Sequence, residues 1–400
     1  MMKKTEKILN ADYTLLQIAY WAMNSVIFCF TAVFLQFKGY SNYEIGIVFA
    51  LGNIVGFVLQ PTVAGYVDRS RKRALLRCIL VTAVLSIALM LAVFMMPENC
   101  IPLTGSYVLL VAGTTLLTPL CTSLCFYMES WGYNINFSRA RAVGSLSYSV
   151  CTMALGWLVQ RVSENAIPLW YIACSAMLGV MSIIFSVKEK PHRNEAAPAE
   201  HDEPHEKASS LIEFAKENKL FMVFLVGTAV MYFTHALIGN FMIEFIRNLG
   251  GDSADLGNVL AFMTIVEVPV MLLFSRLTQR FRCSTLLRVS VIMFTVKELM
   301  IYLAQSVAAL YAAEALQAFS FALFIPASVR YVDEVIVKRN AVKGQAFVTA
   351  MLTLGSIFAS YIGGLLLDTS TPEFTLLVGV IVSAVGTLIL LLSIQTTDAP

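Results

Sequence analysis

Apolar residues gather in twelve long runs along the chain, and charged residues collect in the gaps between them. The runs cover residues 13–37, 43–67, 73–96, 106–130, 141–161, 167–187, 219–247, 255–280, 284–304, 308–332, 342–366 and 372–394. Each is close to the ~20 residues a helix needs to cross a bilayer, where hydrocarbon leaves every backbone polar group to be satisfied within the helix. The pattern predicts an all-α integral membrane protein of twelve transmembrane helices.

Lysine and arginine set the orientation. Lys3, Lys4 and Lys7, Arg69 to Arg77, Arg139 and Arg141, Arg276 to Arg288, and Arg330 to Lys343 fall in alternate gaps, and the intervening gaps hold almost none. Basic residues are retained on the cytoplasmic side, so both termini are expected inside a cell membrane. The longest gap mixes Pro, Ala and charges of both signs and reads as a solvated cytoplasmic linker. It divides the chain into six spans at 1–187, a linker at 188–218 and six spans at 219–400. His201 and His205 stand four apart in it beside Asp202 and Glu203, a metal-type spacing read as incidental to a solvated segment. The run from Tyr13 exceeds the apolar core of a signal peptide and no small-residue cleavage pattern follows, so it is taken as the first span.

Composition narrows the class. Hydrophobic residues make up 58% and charged residues 14%, against a usual charged share of about 25%, and mean hydropathy is +0.73. A net charge of +2, dispersed over many loops, argues against a nucleic-acid partner. The eight cysteines are scattered, mostly inside apolar runs, and suggest neither metal nor cofactor.

An offset of 211 residues aligns Glu44-Ile45-Gly46 with Asp255-Leu256-Gly257, Val48 and Ala50 with Val259 and Ala261, Arg69 with Arg280, and Leu75-Leu76-Arg77 with Leu286-Leu287-Arg288. The halves read as duplicates. Two such bundles about a central site suit a carrier that opens alternately to either side.

With these features the chain resembles the major facilitator superfamily over almost its whole length. Ala64-Gly65-Tyr66-Val67-Asp68-Arg69-Ser70-Arg71-Lys72-Arg73 is similar to that family's loop between spans two and three, with Ala64 and Arg71 in place of two glycines. The resemblance implies two pseudo-symmetric six-helix bundles and gives Asp68, Arg69 and Arg73 a gating role.

Within the superfamily the chain is most like the lactose permease and phenylpropionate or nucleoside permease type. Arg139-Ala140-Arg141 resembles a triplet whose second arginine binds sugar hydroxyls, and Tyr148, seven residues on, stands where the family places an aromatic ring beneath the sugar. Arg141 as a retention charge and Tyr148 as a packing residue are the alternatives. The acid lactose permease carries on span four has no clear counterpart near Cys125 and Tyr127, and Glu129 lies closer to the cytoplasmic end.

Ionisable groups enter the apolar runs of the second half, where each costs a few kcal/mol or more. Glu267 lies midway along span eight, Lys297 and Glu298 in span nine, and Glu314 nearer the outer end of span ten. The resemblance makes Glu267 the first candidate for proton coupling, with Glu298 and Glu314 behind it and Lys297 as its cation. Gln317 and Ser320 replace the family's histidine and glutamate, so proton handling does not transfer position by position. A Glu267–Lys297 pair that only joins helices is the structural alternative; Glu298 on a cavity wall and Glu314 at the outer surface are others. His235, near Tyr232 and Asn240, resembles a histidine of the phenylpropionate type, and Gln17, Tyr20 and Asn24 recur on one face of span one. Gly344, Gly355, Gly363 and Gly364 suit close helix packing.

The sequence leads to a carrier, not an enzyme: no nucleophile with its base and no metal cluster is visible. The expectation is a monomeric proton symporter working by alternating access, importing a sugar, glycoside, nucleoside or aromatic acid through a site near the midplane. A proton-driven exporter of sugars or drugs is the alternative.

Overall fold

Long runs of Leu, Ile, Val, Phe and Ala with polar residues confined to single positions favour continuous helices, because a helix satisfies its own backbone. The computed structural model describes residues 2–69, 74–129, 133–192, 211–337 and 340–396, and its regular elements are all helical. In the first half they are α1 (Met2–Phe37), α2 (Asn42–Arg69), α3 (Ala74–Met95), α4 (Ile101–Glu129), α5 (Phe137–Arg161) and α6 (Ala166–His192). A short α7 (Leu211–Glu217) precedes α8 (Lys219–Asn248), α9 (Ser253–Leu277) and α10 (Cys283–Tyr302). Span ten is broken into α11 (Val307–Glu314), a 3₁₀ turn (Ala315–Ala318) and α12 (Phe321–Val335), and α13 (Ala341–Thr369) and α14 (Pro372–Ser393) close the chain.

Among the described residues eleven helical segments are long and apolar enough to cross a membrane. The ninth predicted span, α10, has the length but carries Arg288, Lys297 and Glu298 within 20 residues. Apolar side chains such as Val81, Val84 and Leu85 on α3 and Leu388 and Leu392 on α14 face outward, as lipid-exposed surfaces require.

The chain divides into two compact units, Met1–Glu200 with Leu256–Ala261, and His201–Asp255 with Phe262–Pro400. Four pairings recur in both. In the first, α1 packs on α5 and α6, and α3 on α4 and α6; in the second, α8 packs on α13 and α14, and α10 on α12 and α14. Buried aromatic residues fill each core, Tyr13, Phe30, Phe34, Tyr107 and Tyr171 in one, Phe221, Phe224, Phe294, Phe324 and Tyr331 in the other. Gly355 and Gly386 give α8 its close neighbours: a Cβ at Gly355 would lie 2.6 Å from the Ala229 carbonyl oxygen, and one at Gly386 would strike the Met231 backbone. Close approach of this kind replaces hydrophobic driving force between helices in lipid.

The duplication is sharpest at one corner. After α1, Gly39 adopts φ +78°, its N–H bonding the Gln36 carbonyl while the Tyr40 N–H bonds that of Leu35. After α8, Gly250 adopts φ +79°, and Gly250 and Gly251 donate to Arg247 and Ile246. Both are Schellman ends, which place a left-handed residue where glycine carries no Cβ penalty. The next helix starts with a reciprocal cap each time, Ser41 with Glu44 and Asp252 with Asp255. All of these positions are related by the offset of 211.

Candidate functional site

In the first unit, polar residues from α1, α4 and α5 join into one chain. Gln17 donates to the Cys121 carbonyl at 3.3 Å and to the Tyr13 hydroxyl at 2.9 Å, and accepts from the Trp21 indole at 3.1 Å. The Arg141 guanidinium lies 3.7 Å over the Trp21 ring and bonds the Ser145 hydroxyl. Gly144 makes this possible, since a Cβ there would sit 2.5 Å from Trp21 Cδ1. Tyr148 is drawn in edge-on, its ring 6.4 Å from Trp21 and its hydroxyl 2.8 Å from Cys29 Sγ. Tyr20 and Asn24 bond each other at 3.1 Å, and Tyr20 reaches Thr118. Thus Arg141 and Tyr148 meet through Trp21, a residue the sequence did not single out. Arg139 belongs to a different place, a surface cavity of about 820 Å³ between α1 and α5 with Asn10 and Asn136 in its wall.

In the second unit the charges converge on Lys297. Its ammonium is fully buried, 3.3 Å from Glu314 and 2.7 Å from the Gln317 amide oxygen, and the Gln317 amide nitrogen donates to Glu267 at 2.8 Å. Lys297 therefore pairs with Glu314, and Gln317 bridges it to Glu267. Glu314 is buried rather than exposed at the outer surface. The break in span ten explains both: the tightened turn Ala315–Ala318 brings Gln317 round to lie between α9 and α10, which a regular helix would not guarantee.

Glu298 is fully buried and turns away from this network toward α14, not to a cavity wall. His235 is stacked on Phe321 with ring centres 5.0 Å apart and meets Phe294 edge-on and Tyr232 at 5.2 Å; its Nδ1 has no hydrogen-bond partner. Asn240 instead ties α8 to Ser360 of α13 at 2.9 Å. The side chains of Asp68 and Arg69, the whole of Arg73, and His201 and His205 lie outside the described residues. Among the described residues no group of His, Cys, Asp or Glu is arranged to hold a metal.

A model of the MFS_1 like family matches residues 12–378. The chain belongs to that family. It is a multi-pass membrane transporter of small molecules and not an enzyme, as its relatives are. The maltose permease of Geobacillus stearothermophilus is 26% identical over 378 residues, covering 92% of this chain and 90% of the relative. An uncharacterized transporter of Bacillus subtilis (strain 168), YwbF, is 20% identical over 342 residues, covering 82% and 79%. Among solved structures, the nucleoside transporter NupG superposes with a TM-score of 0.83, covering 97% of this chain and 100% of its own at 12% identity. A bacterial homolog of the human lysosomal transporter Spinster, inward-facing and unoccupied, gives 0.70 at 14% identity, covering 97% and 96%. These likenesses fix the transporter's fold; its chemistry rests on the residues above.

Proposed function

We propose that this transporter imports a small, hydroxyl-bearing organic solute together with protons, by alternating access, as a monomer in the cytoplasmic membrane with both termini inside and without nucleic-acid partners. The observation that carries the reading is the Glu267–Gln317–Lys297–Glu314 network, set within membrane-spanning helices. Buried ion pairs contribute little net stability, so one kept at this depth has another use. Glu267, half-buried and bonded by the Gln317 amide, is the proton carrier, and Lys297 with Glu314 sets the charge around it. Arg141, Asn24 and Tyr20 supply hydrogen bonds and Tyr148 an aromatic edge for the solute, and His235 is the candidate for solute contact within the second unit. Asp68, Arg69 and Arg73 form the loop gate that the family resemblance implies.

Of the four solute classes open from the sequence, the hydroxyl-rich ones fit best. The relatives are named for maltose and for nucleosides, both built on a sugar ring, and the amides and hydroxyls near Arg141 can both donate to and accept from hydroxyl groups. The transporter reconstituted in vesicles loaded with a pH dye tests the reading, with maltose and uridine as probes. Addition outside should acidify the lumen only with the accepted solute. Glu267→Gln should abolish uphill accumulation and leave solute exchange intact; persistence of both activities would defeat the assignment, and solute expulsion driven by inward protons would make the protein an exporter.

A further inference from the structure

Behind the Lys297 network, α10 and α14 meet along a ladder of hydroxyls that the transport reading does not use. Thr387 donates to the Val291 carbonyl at 2.9 Å, Thr295 lies 2.9 Å from Thr387, and Thr295 lies 3.1 Å from Ser383. Glu298 stands one turn from Thr295, fully buried, with the Ser383 hydroxyl beside its carboxyl group and no other hydrogen-bond partner for either carboxyl oxygen. A hydroxyl has one proton to give. That of Thr387 is spent on a carbonyl, so Thr295 must donate to Thr387. Ser383 must then donate to Thr295, and its remaining capacity is to accept.

We infer that Glu298 holds a proton and is the terminal donor of this ladder, a proton-binding site between spans nine and twelve separate from Glu267. The charges around it agree. Lys297, the cation beside it on its own helix, is matched by Glu314 of α11, and His235 of α8 faces Lys297; α14 presents the hydroxyls of Ser383 and Thr387. An ionised Glu298 would add a second buried anion to a single cation. It would also turn the Ser383 proton toward itself, leaving Ser383 and Thr295 with lone pairs facing each other. Proton occupancy at Glu298 thus decides whether the Thr295–Ser383 bond between the two helices exists. A metal cation is disfavoured, because the hydroxyl oxygens already bond one another rather than converge on a shared centre.

Infrared spectroscopy of the full-length protein, purified without solute at neutral pH, tests this independently of any transport activity. A protonated-carboxyl band should be present, vanish in Glu298→Gln and survive in Glu267→Gln. In Ser383→Ala, which keeps the carboxyl, it should shift to higher frequency as the acceptor is lost; this variant carries the test if Glu298→Gln fails to fold. An unchanged band in both Glu298→Gln and Ser383→Ala overturns the inference. So does a band that disappears when sodium replaces choline in the buffer, which would make the ladder a cation site.

Discussion

In the first unit one guanidinium rests on an indole face, and its surroundings are amides, hydroxyls and a thiol; in the second, a lysine, its glutamate, an amide and a further carboxyl are bonded end to end. Four helix pairings and the outer corner are nevertheless common to both. Backbone geometry was kept where a left-handed residue and a reciprocal cap are needed to turn the chain. Interior side chains, which can change without unmaking any backbone bond, were free to diverge. The difference suits a division of labour, with solute contacts concentrated in one unit and ion chemistry in the other.

Removing the cation of each unit tests the contrast most strongly. Lys297→Met strands a buried glutamate and should lower stability by about 3–5 kcal/mol, with much of the loss recovered when Glu314→Gln is added. Thermal unfolding of the purified variants reads both, and failure of the second change to rescue the first would break the claim that this pair dominates the second unit. Gly144→Ala should cost about 1–3 kcal/mol by driving a methyl group into Trp21, with a matching drop in solute affinity. Arg141→Met, which removes the cation from the face of Trp21, should cost about 1–2 kcal/mol in stability while abolishing transport. At the shared corner the halves should behave alike: Ser41→Ala and Asp252→Ala should each cost about 1 kcal/mol. Markedly unequal values would show that the resemblance of the two corners is one of shape alone.

The fold was legible because lipid imposes a coarse rule, roughly one apolar run per crossing, and the long helices follow the predicted runs, while α7 falls in the segment read as linker and the tenth run is divided between α11 and α12. What escaped was the fine winding. Nothing in Ala315-Leu316-Gln317-Ala318 announces a 3₁₀ turn, so Gln317 read as a lost histidine rather than as the joint between Glu267 and Lys297. Glu267, Lys297, Glu298 and Glu314 stood out in the sequence by being charged in apolar surroundings, but partners are chosen by helix rotation, which periodicity fixes only to within a residue or so. Trp21 went unnoticed because a tryptophan in an apolar run is unremarkable until Gly144 opposite it is seen to leave room. Thr295, Ser383 and Thr387 were invisible for a similar reason, since hydroxyls in transmembrane helices are common and ordinarily bond their own backbone.

The short break in span ten has a mechanical side. A 3₁₀ turn rises about 0.5 Å more per residue than an α-helix and winds about 20° further, so rewinding Ala315–Ala318 would shorten the rod by about 2 Å and rotate its two ends by about 80° relative to one another, carrying Gln317 through about 60°. Four residues thereby act as a turnbuckle, converting the loss of one bond on the amide into travel at both ends of the rod.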